Sequence, residues 1–313
     1  MHLLAIREME PARIEQLLES SQRMKRATID GSKVPQFPGR VVGMLFLEDS
    51  TRTRVSFEQA ARKLGMGFSI FGMQGTSLSK GESLKDTVLT LKYERLDGLV
   101  MRHNASGAAH LAARFFDGPV INAGDGMHEH PTQALADALT IAERKGKIQG
   151  LKVAIVGDVM HSRVARSNLW LLHKLGAEVH LVGPRNLLPR HTGKLPASVH
   201  HDLLPGIEDA DVVMALRLQK ERMDGGLISS LGEYASLYQI NARALANAKP
   251  DCIVMHPGPI NRGLEVDDQT ADGPNSVIVN QVENGVFVRM AVFAEAFSNG
   301  HMEQPKTKKA TKK

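Results

Sequence analysis

The chain has 313 residues, which is enough for two domains of ordinary size. Its composition of 42% hydrophobic and 23% charged residues is typical of a folded soluble protein and excludes a fibrous or wholly disordered chain. No apolar run reaches the roughly 18 residues of a membrane span, and early charges predict that the N-terminus is not a secretory signal peptide. Because Cys252 is the only cysteine, an internal disulfide is also excluded, and we expect a cytoplasmic protein.

Much of the net charge of +5 comes from the C-terminal tail. Residues 304–313 contain five lysines, no acid and no apolar residue able to dock them. Residues 301–313 are therefore predicted to be a disordered basic tail. Such a tail can contact nucleic acid, but the remainder of the chain is close to neutral. We therefore expect neither nucleic acid nor a membrane as a partner, and we interpret the tail as a solubilising segment.

Strand and helix patterns alternate through the first half of the chain. Pro11 suits the first position of a helix that extends to Arg26, and the short apolar run at residues 41–47 predicts a strand. A helix follows that strand as far as Gly65. Further strands are predicted at residues 67–71, 98–101 and 120–122, and a long helix is predicted from Pro131 to Gly146.

The same pattern starts again near residue 150. Strands are predicted at residues 151–156, 178–182, 211–216 and 252–255, with a helix at 162–175 and one or two terminal helices at 275–299. Alternating strands and helices form parallel sheets. The sequence therefore predicts an α/β fold of two domains, each a parallel sheet flanked by helices, with a linking helix and a C-terminal helix packing back. The expected units are residues 1–145, residues 146–285 and a C-terminal helix at residues 286–300.

The strongest chemical signal is the segment Ser50-Thr51-Arg52-Thr53-Arg54, between a predicted strand and a predicted helix. Free N–H groups and the helix dipole favour an anion at a helix start, and the planar guanidinium of arginine matches phosphate. Simple N-capping is the alternative, but capping needs one hydroxyl, and the dipole disfavours arginine in a first turn. The segment therefore predicts a phosphate site. It is not a P-loop, because GxxxxGK[ST] is absent.

A second signal lies at the start of the long helix. Pro131 at the first helical position places His130 at the N-cap, and Gln133 lies at the same helix end. An imidazole and a carboxamide there could polarise a carbonyl and hold an amide NH2 group. The alternative is a capping His130 beside a solvated Gln133. His128 and His130 also form an HxH pair, but without further ligands this pattern is weak, and we expect no metal.

Single arginines stand just beyond three of the predicted strands. They are Arg102, Arg163 and Arg217. Ligands bind at the carboxyl ends of strands in parallel α/β sheets, so these arginines are candidate binding residues. The segment after residues 151–156 lacks GxGxxG, which argues against a nicotinamide enzyme, and we expect no cofactor.

Two loops complete the candidate site. In the turn at residues 256–259 (HPGP), two prolines flank Gly258 and fix a rigid conformation that exposes carbonyl groups, including those of Gly258 and Pro259. The polar loop at residues 76–83 contains Ser77, Ser79 and Lys80. That loop is either an ordinary surface loop or a mobile lid that brings Lys80 to an anionic ligand.

Together these motifs resemble those of the aspartate/ornithine carbamoyltransferase family. The resemblance extends in order from about residue 46 to residue 259, and its most specific parts are FLEDSTRTRVSFEQAARKLG and HPTQALAD. It implies that residues 1–145 form a carbamoyl phosphate-binding domain. The implied ligands of carbamoyl phosphate are Ser50, Thr51, Arg52, Thr53, Arg102, His130 and Gln133 from that domain, with Gly258 and Pro259 from the second half of the chain. It implies catalytic roles for Arg52, Thr53, Arg102 and His130. It also suggests a cis peptide bond between Gly258 and Pro259.

The second substrate divides this family. Ornithine-specific members carry HCLP and SMG motifs, whereas this chain has HPGP and the sequence RLQKER, which is similar to aspartate-specific members. The resemblance implies that residues 146–285 bind aspartate. Lys80, Arg163 and Arg217 would supply cations for its two carboxylates and would repel the side chain of ornithine.

The implied reaction converts carbamoyl phosphate and L-aspartate into N-carbamoyl-L-aspartate and phosphate, an early step of de novo pyrimidine biosynthesis. Two alternatives stay open at this point. One is carbamoyl transfer to another amine, such as ornithine. The other is an inactive carbamoyltransferase-like subunit that organises a larger assembly.

The resemblance also implies an assembly. The family forms trimers, so we expect a homotrimer or a higher assembly of trimers, in which the loop of one chain reaches into the site of its neighbour. Ser77 and Lys80 would then act in trans, with Ser77 preferred over Ser79 as the phosphate contact. Gly75 and Gly81 on either side of the loop would allow it to extend away from its own domain.

Overall fold

The structure is a computed structural model that describes residues 1–72, 81–219 and 230–298. Its strands form two parallel sheets, as the sequence predicts. The first sheet has the order β2-β1-β3-β4 and consists of β1 (Val41–Phe46), β2 (Gly67–Gly72), β3 (Gly98–His103) and β4 (Val120–Asp125). The second has the order β7-β6-β5-β8-β9 and consists of β5 (Lys152–Val156), β6 (Glu178–Val182), β7 (Ser198–His200), β8 (Val212–Ala215) and β9 (Ile253–Met255).

Sequence patterns predict these strands apart from β7. That strand is short and lies at the edge of its sheet, where it pairs only with β6. Val199 is its one apolar residue, between Ser198 and His200. A single apolar residue shows no periodicity, and so β7 gives no signal that distinguishes it from a loop.

Helices connect the strands and cover the sheets. They are α1 (Pro11–Ile29), α2 (Thr51–Lys63), α3 (Leu84–Tyr93), α4 (Ala108–Ala113), α5 (Pro131–Lys145), α6 (Arg163–Lys174), α7 (Leu203–Ile207), α8 (Leu231–Tyr238), α9 (Ala242–Leu245), α10 (Asp268–Ala271) and α11 (Ile278–Ser298). α1 and α5 begin at Pro11 and Pro131, as predicted. α5 stops at Gly146, whose φ of 75° is the left-handed conformation that suits glycine at a helix end. Within the described residues, no helix is long and apolar enough to span a membrane.

The C-terminal helix α11 returns from the second sheet to the first. Just before it, Val277 donates its N–H to the carbonyl of Val254 in β9 at 2.9 Å. The helix then packs against α1, α2 and α5. The rings of Phe57 and Phe293 meet edge to face at 5.6 Å. These contacts confirm the prediction that a C-terminal helix packs back, and α11 (Ile278–Ser298) lies within the segment 275–299 that is predicted to be helical.

One continuous hydrophobic core joins the two sheets. It contains residues from the strands of both sheets and from α5, α6 and α11. Smaller clusters cover the other faces of the sheets. This packing fixes the position of one sheet relative to the other. The finer division of the chain at residues 145, 285 and 300 stays a prediction.

Candidate active site

A cleft of about 1080 Å³ opens where the loops that follow the strands of the two sheets meet. The predicted site residues that line it are Ser50, Thr51, Arg52, Thr53, Arg102, His130, Gln133, Arg163, Arg217, Gly258 and Pro259. Arg54, the last residue of the predicted phosphate segment, does not line the cleft and pairs with Glu58 at 3.4 Å. Ser77, Ser79 and Lys80 lie outside the described residues. The structure therefore brings together side chains that are separated by about two hundred residues of sequence.

The start of α2 faces this cleft. Ser50 is the N-cap residue with an extended backbone, but its hydroxyl makes no capping hydrogen bond, and no acid occupies the first turn. The first N–H groups of a helix have no partner within it, and the dipole makes this end positive. Arg52 adds a guanidinium to the same end. Simple N-capping by the Ser50 side chain is not observed, and the arrangement suits a phosphate.

Arg102 and Arg163 approach the cleft from different sheets, and Glu48 joins them. The guanidinium of Arg163 binds the Glu48 carboxylate with both nitrogens, at 2.8 and 2.5 Å. Arg102 contacts the same carboxylate at 3.1 Å. Because Glu48 follows β1 and Arg163 begins α6, this ion pair crosses from one sheet to the other. An anionic substrate that binds either arginine must compete with Glu48.

The imidazole of His130 lies at the mouth of α5. Its backbone N–H donates to the hydroxyl of Ser167 at 2.8 Å, which fixes the N-cap position. The side chain is buried, and Nδ1 has no hydrogen-bond partner among the described residues. Burial first, and then the nearby charges of Arg102, Arg163 and Arg289, hold the pKa of His130 well below its usual value. His130 is therefore a neutral imidazole at physiological pH, and it can donate one hydrogen bond without adding charge.

The turn at residues 256–259 closes the cleft from the second sheet. The peptide bond between Gly258 and Pro259 is cis, as the resemblance suggests. Gly258 has a φ of 68°, and the space that a side chain would occupy there is filled by the guanidinium of Arg52. A side chain at this position would therefore need the left-handed backbone and would have to displace the Arg52 guanidinium, which is the far end of a flexible side chain.

Arg217 follows β8 at the far side of the cleft. One of its guanidinium nitrogens donates to the side-chain oxygen of Gln219 at 3.0 Å. Leu218 between them donates its N–H to the buried carboxylate of Glu265 at 3.0 Å, and this contact anchors the segment. The three charged residues that complete the RLQKER pattern, Lys220, Glu221 and Arg222, lie outside the described residues.

Comparison with known proteins bears on both halves of the chain. A family model described as aspartate/ornithine carbamoyltransferase, carbamoyl-P binding domain, matches residues 1–143, and the corresponding Asp/Orn binding domain matches residues 149–295. The aspartate carbamoyltransferase catalytic subunit of Desulforudis audaxviator is 50% identical over 292 residues, which are 93% of this chain and 95% of that protein. The chain belongs to the aspartate/ornithine carbamoyltransferase family.

Solved structures from both branches of this family resemble the chain equally well. The ornithine carbamoyltransferase of Pyrococcus furiosus has a TM-score of 0.85 at 31% identity, covering 96% of this chain and 98% of its own. The aspartate transcarbamoylase of Trypanosoma cruzi, in complex with carbamoyl aspartate and phosphate, has a TM-score of 0.85 at 34% identity, covering 93% and 94%. The fold therefore does not distinguish the second substrate, and the residues of the cleft must do so.

Sequence patterns missed two charged residues of this carbamoyltransferase site. Glu48 follows β1 with one residue between them. An acid beside a cationic motif could have indicated an ion pair in the site. Arg289 lies within α11, and its guanidinium lies over the ring of Phe57 at 4.9 Å. Burial lowers the pKa of Arg289 to about 9. The sequence feature that could have identified it is an arginine within the apolar run VFVRMAVF. A charged residue is seldom buried without a partner or a function.

A buried carboxylate beneath the cleft was also missed. Asp137 is fully buried in α5 and accepts hydrogen bonds from the side-chain NH2 groups of Gln133, Gln281 and Asn168, at 2.8, 2.8 and 2.7 Å. Burial raises the pKa of Asp137, and the three amide donors oppose that rise. The side-chain oxygen of Gln281 accepts the N–H of His256 at 2.9 Å. Asp137 therefore connects α5 to α6, to α11 and, through Gln281, to the turn that carries Gly258.

Proposed function

We propose that this chain is an aspartate carbamoyltransferase, which converts carbamoyl phosphate and L-aspartate into N-carbamoyl-L-aspartate and phosphate. The observation that carries the proposal is the distribution of cations in the cleft. A phosphate-binding helix start with Arg52 lies on one side, and Arg163 and Arg217 lie on the other. A single anionic substrate would not need arginines from both halves of the chain. Two anionic substrates bound side by side would need them. The names of the relatives in the aspartate branch support the same choice.

The phosphate group would bind at the start of α2. Ser50, Thr51 and Thr53 offer hydroxyls and backbone N–H groups there, and Arg52 offers a planar pair of N–H donors. Because the first turn of α2 contains no acid, no side chain of that turn opposes an anion. Arg52 would also stabilise the charge that develops on phosphate as it leaves.

The carbamoyl group would lie between α5 and the turn at residues 256–259. Thr53, Arg102 and the neutral imidazole of His130 would donate to its carbonyl oxygen. The side-chain oxygen of Gln133 and the carbonyls of the turn would accept from its NH2 group. The neutral α-amine of aspartate attacks the carbonyl carbon, and negative charge grows on that oxygen. The bond to phosphate then breaks, and the departing phosphate accepts the proton that the amine loses. Donors already in place stabilise this oxyanion without reorganisation.

The aspartate carboxylates would bind Arg163 and Arg217, together with Lys80. Arg163 is held by Glu48 in the structure, so a carboxylate of the substrate would compete with Glu48 for the same guanidinium. The ammonium group of ornithine would be repelled by these arginines. No acidic side chain other than Glu48 and Asp49 lines the described part of the cleft to receive it.

The assembly and its location belong to the same proposal. We infer a cytoplasmic homotrimer, or a larger assembly of trimers, in which Ser77 and Lys80 of one chain complete the site of its neighbour. We also infer that residues 1–145 bind carbamoyl phosphate and residues 146–285 bind aspartate. The cleft is lined by the loop after β1, the start of α2, β3 and α5 from the first half of the chain, and by α6 and the loops after β8 and β9 from the second half, which supports this division of labour.

The test is a product assay on the purified protein with carbamoyl phosphate and either L-aspartate or L-ornithine. We expect N-carbamoyl-L-aspartate, and little or no product from ornithine. Arg52→Ala should abolish turnover and weaken phosphate binding at unchanged melting temperature, whereas Arg62→Ala on the same helix should change neither. A preference for ornithine would assign the chain to the other branch. Absence of any product would instead favour the inactive scaffold subunit.

A further inference from the structure

Three side chains with metal-binding atoms meet beside the cleft without lining it. His110 comes from α4, Asp125 from the end of β4, and His128 from the turn that leads into α5. One donor atom of each residue lies within 4.8 Å of those of the other two. The two imidazole rings are 5.4 Å apart and steeply inclined to each other. The carbamoyltransferase chemistry proposed above uses none of the three.

We propose that His110, Asp125 and His128 form a binding site for a divalent transition-metal ion such as Zn²⁺ or Co²⁺. A set of two imidazoles and one carboxylate suits Zn²⁺ or Co²⁺ better than it suits Mg²⁺ or Ca²⁺, which favour oxygen ligands. The site is separate from the proposed substrate site and does not depend on it.

Asp125 is the fixed point of this site. It is buried, and its carboxylate accepts the backbone N–H of Gly107 at 2.7 Å, that of Glu129 at 3.1 Å and the side-chain NH2 of Asn122 at 2.8 Å. These bonds hold the carboxylate between the start of α4 and the β4–α5 turn. A ligand that is already held in position loses little conformational entropy when an ion binds.

His128 is already at metal-ligand spacing from Asp125. Its Nδ1 lies 3.1 and 3.2 Å from the two carboxylate oxygens. Two ligands on one tetrahedral Zn²⁺ ion are separated by about 3.3 Å, given metal–ligand bonds of about 2.0 Å. An ion can therefore replace the proton between Nδ1 and the carboxylate with little movement, and that proton passes to solvent.

His110 supplies the third ligand. Its side chain is 31% exposed, so its ring can turn toward the ion. The carboxylate of Glu8 lies 3.0 Å from Nε2 of His110 and is more exposed still, so it can move aside when the ring turns. His128 is similarly accessible, at 32%. An ion from solution can therefore reach the site directly.

The ion would also restrain part of the cleft. Gly126 and Met127, between the ligands Asp125 and His128, line the cleft, and the carbonyl of Gly126 accepts a hydrogen bond from Arg163 at 3.2 Å. His130 follows two residues after His128. A metal bound at this turn would thus stiffen the segment that places both of these side chains.

The test is direct metal binding to the full-length protein after chelator treatment. We expect one equivalent of Zn²⁺ per chain by calorimetry, and a visible absorption band of tetrahedral Co²⁺. His110→Ala and His128→Ala should each weaken Zn²⁺ binding by at least the roughly 10- to 100-fold that the loss of an outer-shell partner costs. His110→Ala leaves the hydrogen bonds of Asp125 intact, so we expect this variant to fold as the parent protein does.

Two control variants make the test specific. His173 is an exposed histidine on α6, and His173→Ala should bind the ion as the parent protein does. His180 and His200 form a second histidine pair, with Nδ1 and Nε2 2.8 Å apart, and His200→Ala should also leave binding unchanged. Binding that persists in both the His110 and His128 variants, binding that depends on His200 instead, or no binding in the parent protein would each overturn the proposal.

Discussion

Gln133 donates its side-chain NH2 group to the buried carboxylate of Asp137 at 2.8 Å, one turn further along α5. Three amide NH2 groups surround that carboxylate, which is the environment of an ionised acid that only accepts hydrogen bonds. The carboxamide of Gln133 therefore cannot flip, and its oxygen is the atom left to face the cleft. An acceptor at that place selects a substrate that carries an NH2 group.

Asp137→Asn should damage this selection. An asparagine offers one acceptor oxygen and a competing NH2 group, so Gln133 can turn its own NH2 toward the cleft. We expect kcat/KM for carbamoyl phosphate to fall roughly tenfold or more, and the free energy of unfolding to fall by about 1–3 kcal/mol. Thr140→Val, which removes another buried hydrogen bond of α5, should cost stability but leave kcat/KM unchanged. Equal kinetic losses in both variants would rule out an orienting role for Asp137.

Gly258→Ala should displace Arg52 from the cleft, because the new methyl group would occupy the position of its guanidinium. Gly263→Ala is a matched control, since Gly263 also has a positive φ, of 77°, but nothing lies near its missing side chain. Both variants should lose about 1–2 kcal/mol of stability from the left-handed backbone. Only Gly258→Ala should raise the KM for carbamoyl phosphate. A similar rise in both would mean that backbone strain, and not Arg52, is responsible.

His130 should contribute to the loss of stability in acid. Because its pKa in the folded state lies well below 6.5, the unfolded chain binds a proton that the folded chain does not. Its contribution to stability is complete above about pH 6.5 and decreases as the pH falls below that value. His130→Gln should therefore show a smaller loss of unfolding free energy between pH 7.5 and pH 5, measured by urea denaturation. His173→Gln serves as the exposed control, and an unchanged slope for His130→Gln would contradict the prediction.

Arg217→Ala should raise the KM for aspartate far more than the KM for carbamoyl phosphate. Loss of a charge-assisted pair with a carboxylate costs roughly 1.5–3 kcal/mol, which corresponds to about 10- to 100-fold in KM. Steady-state kinetics with each substrate varied in turn gives both values. Arg243→Ala, an exposed arginine on α9, should change neither. Comparable losses for the two substrates would mean that Arg217 does not bind aspartate.

Lys80 should act in the site of a neighbouring chain. Lys80→Ala and His130→Ala proteins should each be inactive, but mixed trimers contain sites that combine an intact Lys80 with an intact His130. Random exchange at equal amounts would restore about one quarter of the sites. The measurement is activity before and after subunit exchange, with exchange itself verified by mass or labelling. Verified exchange without activity would place the whole site within one chain.

The parts of this site that depend on short sequence motifs can be predicted from the sequence. A helix start with Ser50–Thr53, a proline that sets His130 at an N-cap, and arginines after strands are all visible as short patterns, and the structure brings them into one cleft. These residues meet because parallel strands of α/β sheets end at a common edge, and their roles in binding and catalysis stay predictions.

The contacts that sequence patterns miss are long-range. Asp137 reads as one polar residue in HPTQALAD, and its role depends on Gln281 and Asn168, which are distant in sequence. In the sequence, Glu48 marks only the end of a strand, and its ion pair with Arg163 becomes visible only in the structure. Arg289 stands in an apolar run of α11, and its contact with Phe57 depends on the packing of that helix against α2. Each needs the packing of one element against another, which periodicity does not encode.

The return of α11 to the first sheet makes the chain suitable for division into two complementing pieces. A cut in the short connection between α5 and β5 would leave α11 on the second fragment, while its partners α1, α2 and α5 stay on the first. The first fragment alone would expose the surface that Phe293 covers on Phe57. The two fragments would therefore recognise each other through this helix, and recovery of carbamoyl transfer on mixing would report their association, as in a split-enzyme sensor.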